Sequence, residues 1–104
     1  MDFEEMGARL GLEKEEFMEL VDIFVSSAEE DIQKLNNALS VSDSKAVAEA
    51  AHSLKGSSGN LGFSAIADLA SRIEQNARKS DLTDLDSYSV NISCEIEKIK
   101  VVIS

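Results

Sequence analysis

The sequence holds a single histidine, His52, with Lys55 and Gly56 three and four positions after it. A free imidazole has a reference pKa of about 6.5, so at neutral pH a good share of it is an unprotonated nucleophile. Such a nitrogen can attack phosphorus and form a phosphoramidate. A lysine one helical turn away can neutralise the incoming phosphoryl oxygens as a mobile point charge. The glycine needs a reason to be there, since Gly inside a helix costs about 1 kcal/mol relative to Ala. On the face of His52 that reason is access, because a bulky partner can come close to the imidazole.

The helical wheel supports this reading. Val47, Ala50, Ala51, Leu54 and Ser58 cluster in one direction, and His52 lands roughly 140° from Val47, toward solvent or the flank. Its neighbours at the preceding and following turns are Ala48, Gly56 and Gly59, all minimal side chains, and Lys45 and Lys55 rim the patch. Ala48, Ser53, Gly56 and Gly59 are therefore expected to form the surface over which a partner approaches. The ring nitrogen not used in attack needs an acceptor to fix its tautomer. A helical hairpin turning near residues 61–63 sets residues 72–74 opposite His52, and Glu74 is the candidate orienter.

These side chains need helices to position them, and the sequence supplies the pattern. There is no proline to break a long helix. Phe17, Leu20, Val21, Phe24, Val25, Ala28, Ile32, Leu35 and Leu39 recur at three-and-four spacing, which predicts a helix over about residues 13–40. Before it, Phe3, Met6 and Leu10 predict a short helix capped by Gly11. After the break at residues 40–44 comes the helix of His52, running toward the turn Gly59-Asn60-Leu61-Gly62. A third long helix, with Ser64 as its cap, buries Ile66, Leu69, Ala70, Ile73 and Ala77. A fourth follows the break at residues 80–84 and carries Leu85, Tyr88, Ile92, Ile96, Ile99 and Ile103. The expected fold is all-α: an antiparallel up-and-down four-helix bundle with a short additional N-terminal helix, as one domain over residues 1–104.

Composition removes competing chemistries. The 104 residues carry 10 Lys+Arg against 20 Asp+Glu, a net charge of -10, which argues against nucleic-acid binding. One Cys forbids an intramolecular disulfide framework and fits a reducing compartment, and Cys94 falls on the solvent side of its wheel. One His leaves no multi-histidine metal motif. Glu49 and His52 make only one Glu-x-x-His pair, facing outward, where di-iron bundles use two facing inward; no metal site is expected. No Gly-Lys-Ser/Thr follows the glycines at nucleotide-loop spacing. No apolar run approaches the ~20 residues of a membrane span, and the acidic start is no signal peptide. A cytoplasmic domain without membrane insertion is expected. The acidic outer faces, with Arg72, Arg78 and Lys79, read as solvated surface.

The stretch His52-Ser53-Leu54-Lys55-Gly56-Ser57-Ser58-Gly59, preceded by Ala50-Ala51 and followed by Gly62, resembles the signature of histidine-containing phosphotransfer (HPt) domains. The helical pattern extends the resemblance over about residues 10–103. It implies that His52 carries a phosphoryl group between receiver-domain aspartates of a phosphorelay, that Lys55 supports it and that Gly56 clears the approach. Glu74 occupies the place of a polar partner for the imidazole. The resemblance further implies a phosphoryl carrier with no ATP site or cofactor of its own. Mg2+ is expected on the receiver partner. The partners implied are response-regulator receiver domains, a sensor histidine kinase, or both.

Two other readings keep the fold. The same motif occurs in the phosphoacceptor domain of chemotaxis-type histidine kinases, phosphorylated from ATP by a separate catalytic domain, where a Glu at the position of Glu74 is typical. The last alternative is a non-catalytic bundle that docks receivers. Both a free-standing protein and a segment of a larger kinase fit the sequence.

Overall fold

The computed structural model describes residues 1–104, which form five helices and no strand: α1 (Phe3–Arg9), α2 (Lys14–Ser40), α3 (Ser44–Leu61), α4 (Ser64–Arg78) and α5 (Leu85–Ile103). The boundaries follow local chemistry. Asp2 and Asp43 accept hydrogen bonds from the backbone N–H groups of Glu5 and Ala46, capping α1 and α3. Glu13 and Glu16 close a capping box at the start of α2. Gly11, at φ 74°, follows α1, and the N–H groups of Gly11 and Leu12 return to the carbonyls of Ala8 and Gly7. That is the left-handed exit only glycine adopts without strain.

Long-range hydrogen bonds fix the directions of the helices. Ser53 meets Asp31 across α2 and α3, and His52 meets Glu74 across α3 and α4. Ser89 pairs with Asn36 and Lys100 with Glu29, so α5 runs antiparallel to α2. Each long helix packs on its sequence neighbour, α5 closes the ring on α2 and also lies on α4, and α1 leans on α2. The result is the expected four-helix bundle with its short N-terminal helix, 41 × 22 × 17 Å along its principal axes. No helix is long and apolar enough to cross a membrane.

The core is built from the predicted stripes. Phe17, Val21, Leu35, Val47, Leu54, Ile73, Leu85 and Ile92 are fully buried. Phe3, Phe17, Phe24 and Phe63 pack ring on ring at one end, with Phe24 and Phe63 stacked at 5.2 Å. This cluster pins α1 and the α3–α4 turn to α2. The segment Ile99–Ile103 is helical despite its β-branched run, because Ile96 and Ile99 continue a buried stripe that a lone strand could not pair.

Three expectations are corrected. Leu20 is 41 % exposed and Leu10 47 %; Phe17, Val21 and Phe24 fill the centre of the buried face, and the apolar stripe is wider than the seam. Ser64 does not cap α4: Phe63 holds the cap position and Ser64 is the first helical residue. Gly62, at φ 86°, turns the chain so sharply that Phe63, buried in the core, must already begin the next helix.

Candidate functional site

His52 stands in the middle of α3, on the side away from its buried stripe, and its side chain is 64 % exposed. Its Nδ1 lies 2.9 Å from Oε2 of Glu74 on α4. The two-residue turn at Gly62 and Phe63 sets this register. Glu74 is buried, although it carries a carboxylate.

Cations surround that carboxylate. Lys55 Nζ is 2.7 Å from Oε1. Arg78, one turn along α4, reaches Oε2 with Nη2 at 2.6 Å and Nε at 3.2 Å. Burial pushes the Glu74 carboxyl up, but hydrogen bonds from Lys55, Arg78 and His52 outweigh it and lower the pKa from 4.5 to about 2. The carboxylate is therefore ionised near neutrality and can only accept. The proton between it and His52 must then sit on Nδ1, which leaves the lone pair on Nε2. Nε2 has no hydrogen-bond partner in the protein.

The approach to the ring is open. A Cβ added at Gly56 or Gly59 would meet nothing within 4 Å. Next to His52 on α3, the Ser53 hydroxyl donates to Oδ2 of Asp31 at 2.7 Å, and Asp31 is 7 % exposed on α2. This bond ties the histidine helix to α2 one residue from the imidazole. On the other side lies a depression of about 360 Å³, lined by Lys45, Ala48, Glu49 and Arg78.

His52, Lys55 and Glu74 thus come together, with Gly56 and Gly59 bare around them. Ala48 does not share that exposure: it is 3 % exposed, on the floor of the depression, where the end of α4 with Ala77 and Arg78 closes over it. Arg78 is corrected too. It is an ion-pair partner of Glu74 and not merely a solvated charge. The four-residue spacing of Glu74 and Arg78 was the available signal, as opposite charges one turn apart on a helix face each other. Asp31 was missed, although the hairpin register that pairs Glu74 with His52, applied to the break at residues 40–44, sets it opposite Ser53. Cys94 is exposed, as its wheel position predicts.

A four-helix bundle that carries one outward imidazole is the frame of a histidine phosphotransfer module. Residues 19–99 match the Hpt domain, and the chain belongs to the Hpt domain family. Among curated proteins it is similar to the phosphorelay intermediate protein rdeA of Dictyostelium discoideum, with 30 % identity over 92 residues. That match takes in 88 % of this chain and 36 % of the relative, so the chain spans about a third of the relative's length. Among solved structures it is similar to histidine-containing phosphotransfer protein B of Pseudomonas aeruginosa PAO1, at a TM-score of 0.86 and 26 % identity, covering 99 % of this chain and 90 % of that one. The HPT domain of a sensor hybrid histidine kinase from Shewanella shares the fold, with a TM-score of 0.69 and 23 % identity over 83 % of this chain and 74 % of that one.

Proposed function

We propose that His52 is the phosphoacceptor of this module, taking a phosphoryl group from a receiver-domain aspartate and passing it to another. The observation that carries the reading is the contact of His52 Nδ1 with Glu74 Oε2. It holds the ring with its proton inward and the lone pair of Nε2 outward.

In the forward step the Nε2 lone pair forms a bond to phosphorus. The bond between phosphorus and the aspartyl oxygen breaks, and its electron pair leaves on the receiver's carboxylate. The ring keeps its Nδ1 proton and becomes cationic, and the Glu74 carboxylate stands opposite that charge. Lys55 meets the phosphoryl oxygens as a point charge. Gly56 and Gly59 leave room for the partner's surface, with Ser53 beside them. In the return step the N–P bond breaks and the pair goes back to Nε2. The chain supplies no nucleotide site to this scheme; Mg2+ belongs to the receiver's acidic pocket, and the partners are receiver domains with a sensor kinase upstream. The compartment that suits such partners is the cytoplasm.

A second reading keeps this chemistry and changes the donor to ATP, through the separate catalytic domain of a chemotaxis-type kinase. Glu74 motivates it, and phosphorylation insensitive to Glu74→Ala counts against it. The deciding experiment for the main reading mixes the chain with a phosphorylated receiver domain. The expected product is acid-labile, base-stable phosphate on the chain. Label that persists in His52→Gln overturns the assignment of His52.

A further inference from the structure

Glu74 has more cations than a single orienting carboxylate needs. Two oxygens accept from three side chains, and the three are not equivalent. Lys55 alone occupies Oε1. Arg78 shares Oε2 with His52 and grips it through two nitrogens.

Lys55 is also the cation best placed to leave. It is on the same helix as His52, one turn on, and holds Glu74 through a single contact at Oε1, whereas Arg78, although more exposed at 60 %, holds it through two. A phosphoryl group on Nε2 brings two negative charges to its door, and a flexible ammonium can follow them. Arg78 cannot follow in the same way. Its guanidinium is anchored on α4 by two hydrogen bonds to one oxygen, one turn from Glu74. Once Lys55 turns away, a buried carboxylate without a counter-ion tends to take up a proton. A protonated Glu74 no longer opposes the ring's positive charge.

We propose that Arg78 is a positioning residue: it is the standing counter-ion that keeps Glu74 ionised and aligned on His52 Nδ1 while Lys55 turns to the phosphoryl group. This rests on the reading of His52 as phosphoacceptor. The groups bonded to Glu74 are His52 and Lys55 from α3 and Arg78 from α4. Lys45 and Glu49 of α3 line the depression beside Arg78. No ion pair from α5 reaches this carboxylate.

The test follows the Glu74 carboxyl and the His52 ring nitrogens by NMR against pH, in the intact chain. Lys55→Gln mimics the departure of Lys55 without any phosphate. Arg78→Gln should raise the Glu74 midpoint by about one pH unit, the size expected for losing an adjacent guanidinium. Lys55→Gln with Arg78→Gln should raise it by more than the two single shifts together and scatter the ring between tautomers. Arg78→Lys should recover most of the shift. Circular dichroism confirms that each variant is still helical. A double variant that titrates like Lys55→Gln alone overturns the proposal.

A second arm labels His52 with phosphoramidate, a small donor that needs no receiver. Arg78→Gln should then move the Glu74 midpoint further in the phosphorylated chain than in the free one. Equal shifts in the two forms overturn the turn of Lys55. A chain that takes no phosphate on His52 overturns the phosphoacceptor reading and that turn with it, whereas the unphosphorylated cycle still scores the hold of Arg78 on Glu74.

Discussion

Nδ1 of His52 lies 2.9 Å from Oε2 of Glu74, across 22 positions of sequence and two helices. A charge-assisted bond of this kind fixes both the tautomer and the direction of the ring. Glu74→Gln keeps the shape but removes the charge that opposes a cationic phosphoimidazole. Label should enter His52 from a phosphorylated receiver about tenfold more slowly, the value of one hydrogen bond to a charged group. Glu74→Ala should slow it at least as much. Both variants should stay helical, because Lys55 and Arg78 are exposed enough to be hydrated. An unchanged rate in both removes Glu74 from the chemistry.

The pH dependence of stability should carry the signature of the same carboxylate. Glu74 titrates near 4.5 when unfolded and at about 2 when folded. The folded state therefore binds fewer protons between those values, and stability falls as the pH falls through that range. The contribution is fully present above the unfolded value and is lost as pH drops toward about 2. Its size is on the order of 3 kcal/mol. Every other carboxylate also contributes to acid unfolding, so the informative quantity is a difference. The gap in urea midpoint between the parent chain and Glu74→Gln should be wide near about pH 6 and narrow by about pH 3. A gap that stays constant contradicts the ionised, cation-held Glu74.

Much of this arrangement is legible in the sequence. The three-and-four spacing alone gives the helices and most of the core, since burying a continuous stripe leaves a chain of this length few other folds. The α3–α4 register was also readable, because a hairpin turning at Gly62 leaves Glu74 facing His52. What stayed hidden depends on side-chain reach and depth. Ala48 looks bare on a wheel, yet the end of α4 covers it. Asp31 faces Ser53 by the register of the α2–α3 turn, but nothing local shows that its carboxylate is buried deeply enough to need a serine hydroxyl from α3. Arg78 was visible as a spacing but not as a partner, because the burial of Glu74 is what makes its cations matter.

Asp31 and Ser53 should behave as a coupled pair. Ser53→Ala leaves a largely buried carboxylate without its donor at 2.7 Å, at a cost of about 1–3 kcal/mol. Removing the carboxylate as well should return part of that loss, since no orphaned charge remains. Urea unfolding of Ser53→Ala, Asp31→Ala and the double variant measures the coupling. Strictly additive losses would show that the bond contributes nothing of its own.

Gly56 separates stability from access. A Cβ there meets nothing within 4 Å, and the residue lies in the interior of α3. Gly56→Ala should therefore stabilise the bundle by about 0.5–1 kcal/mol, the helix-propensity difference, and raise the melting temperature by a few degrees. A large side chain is a different matter, because it sits one turn from the imidazole on the face where the proposed receiver would dock. Gly56→Phe should fold, accept phosphate from phosphoramidate at the parent rate, and accept it from a phosphorylated receiver far more slowly. The contrast between the two donors is the measurement. Equal rates from the receiver in Gly56→Phe and the parent would mean that the partner approaches His52 from another side. A loss with both donors would instead mean that the bulky ring disturbs the imidazole itself.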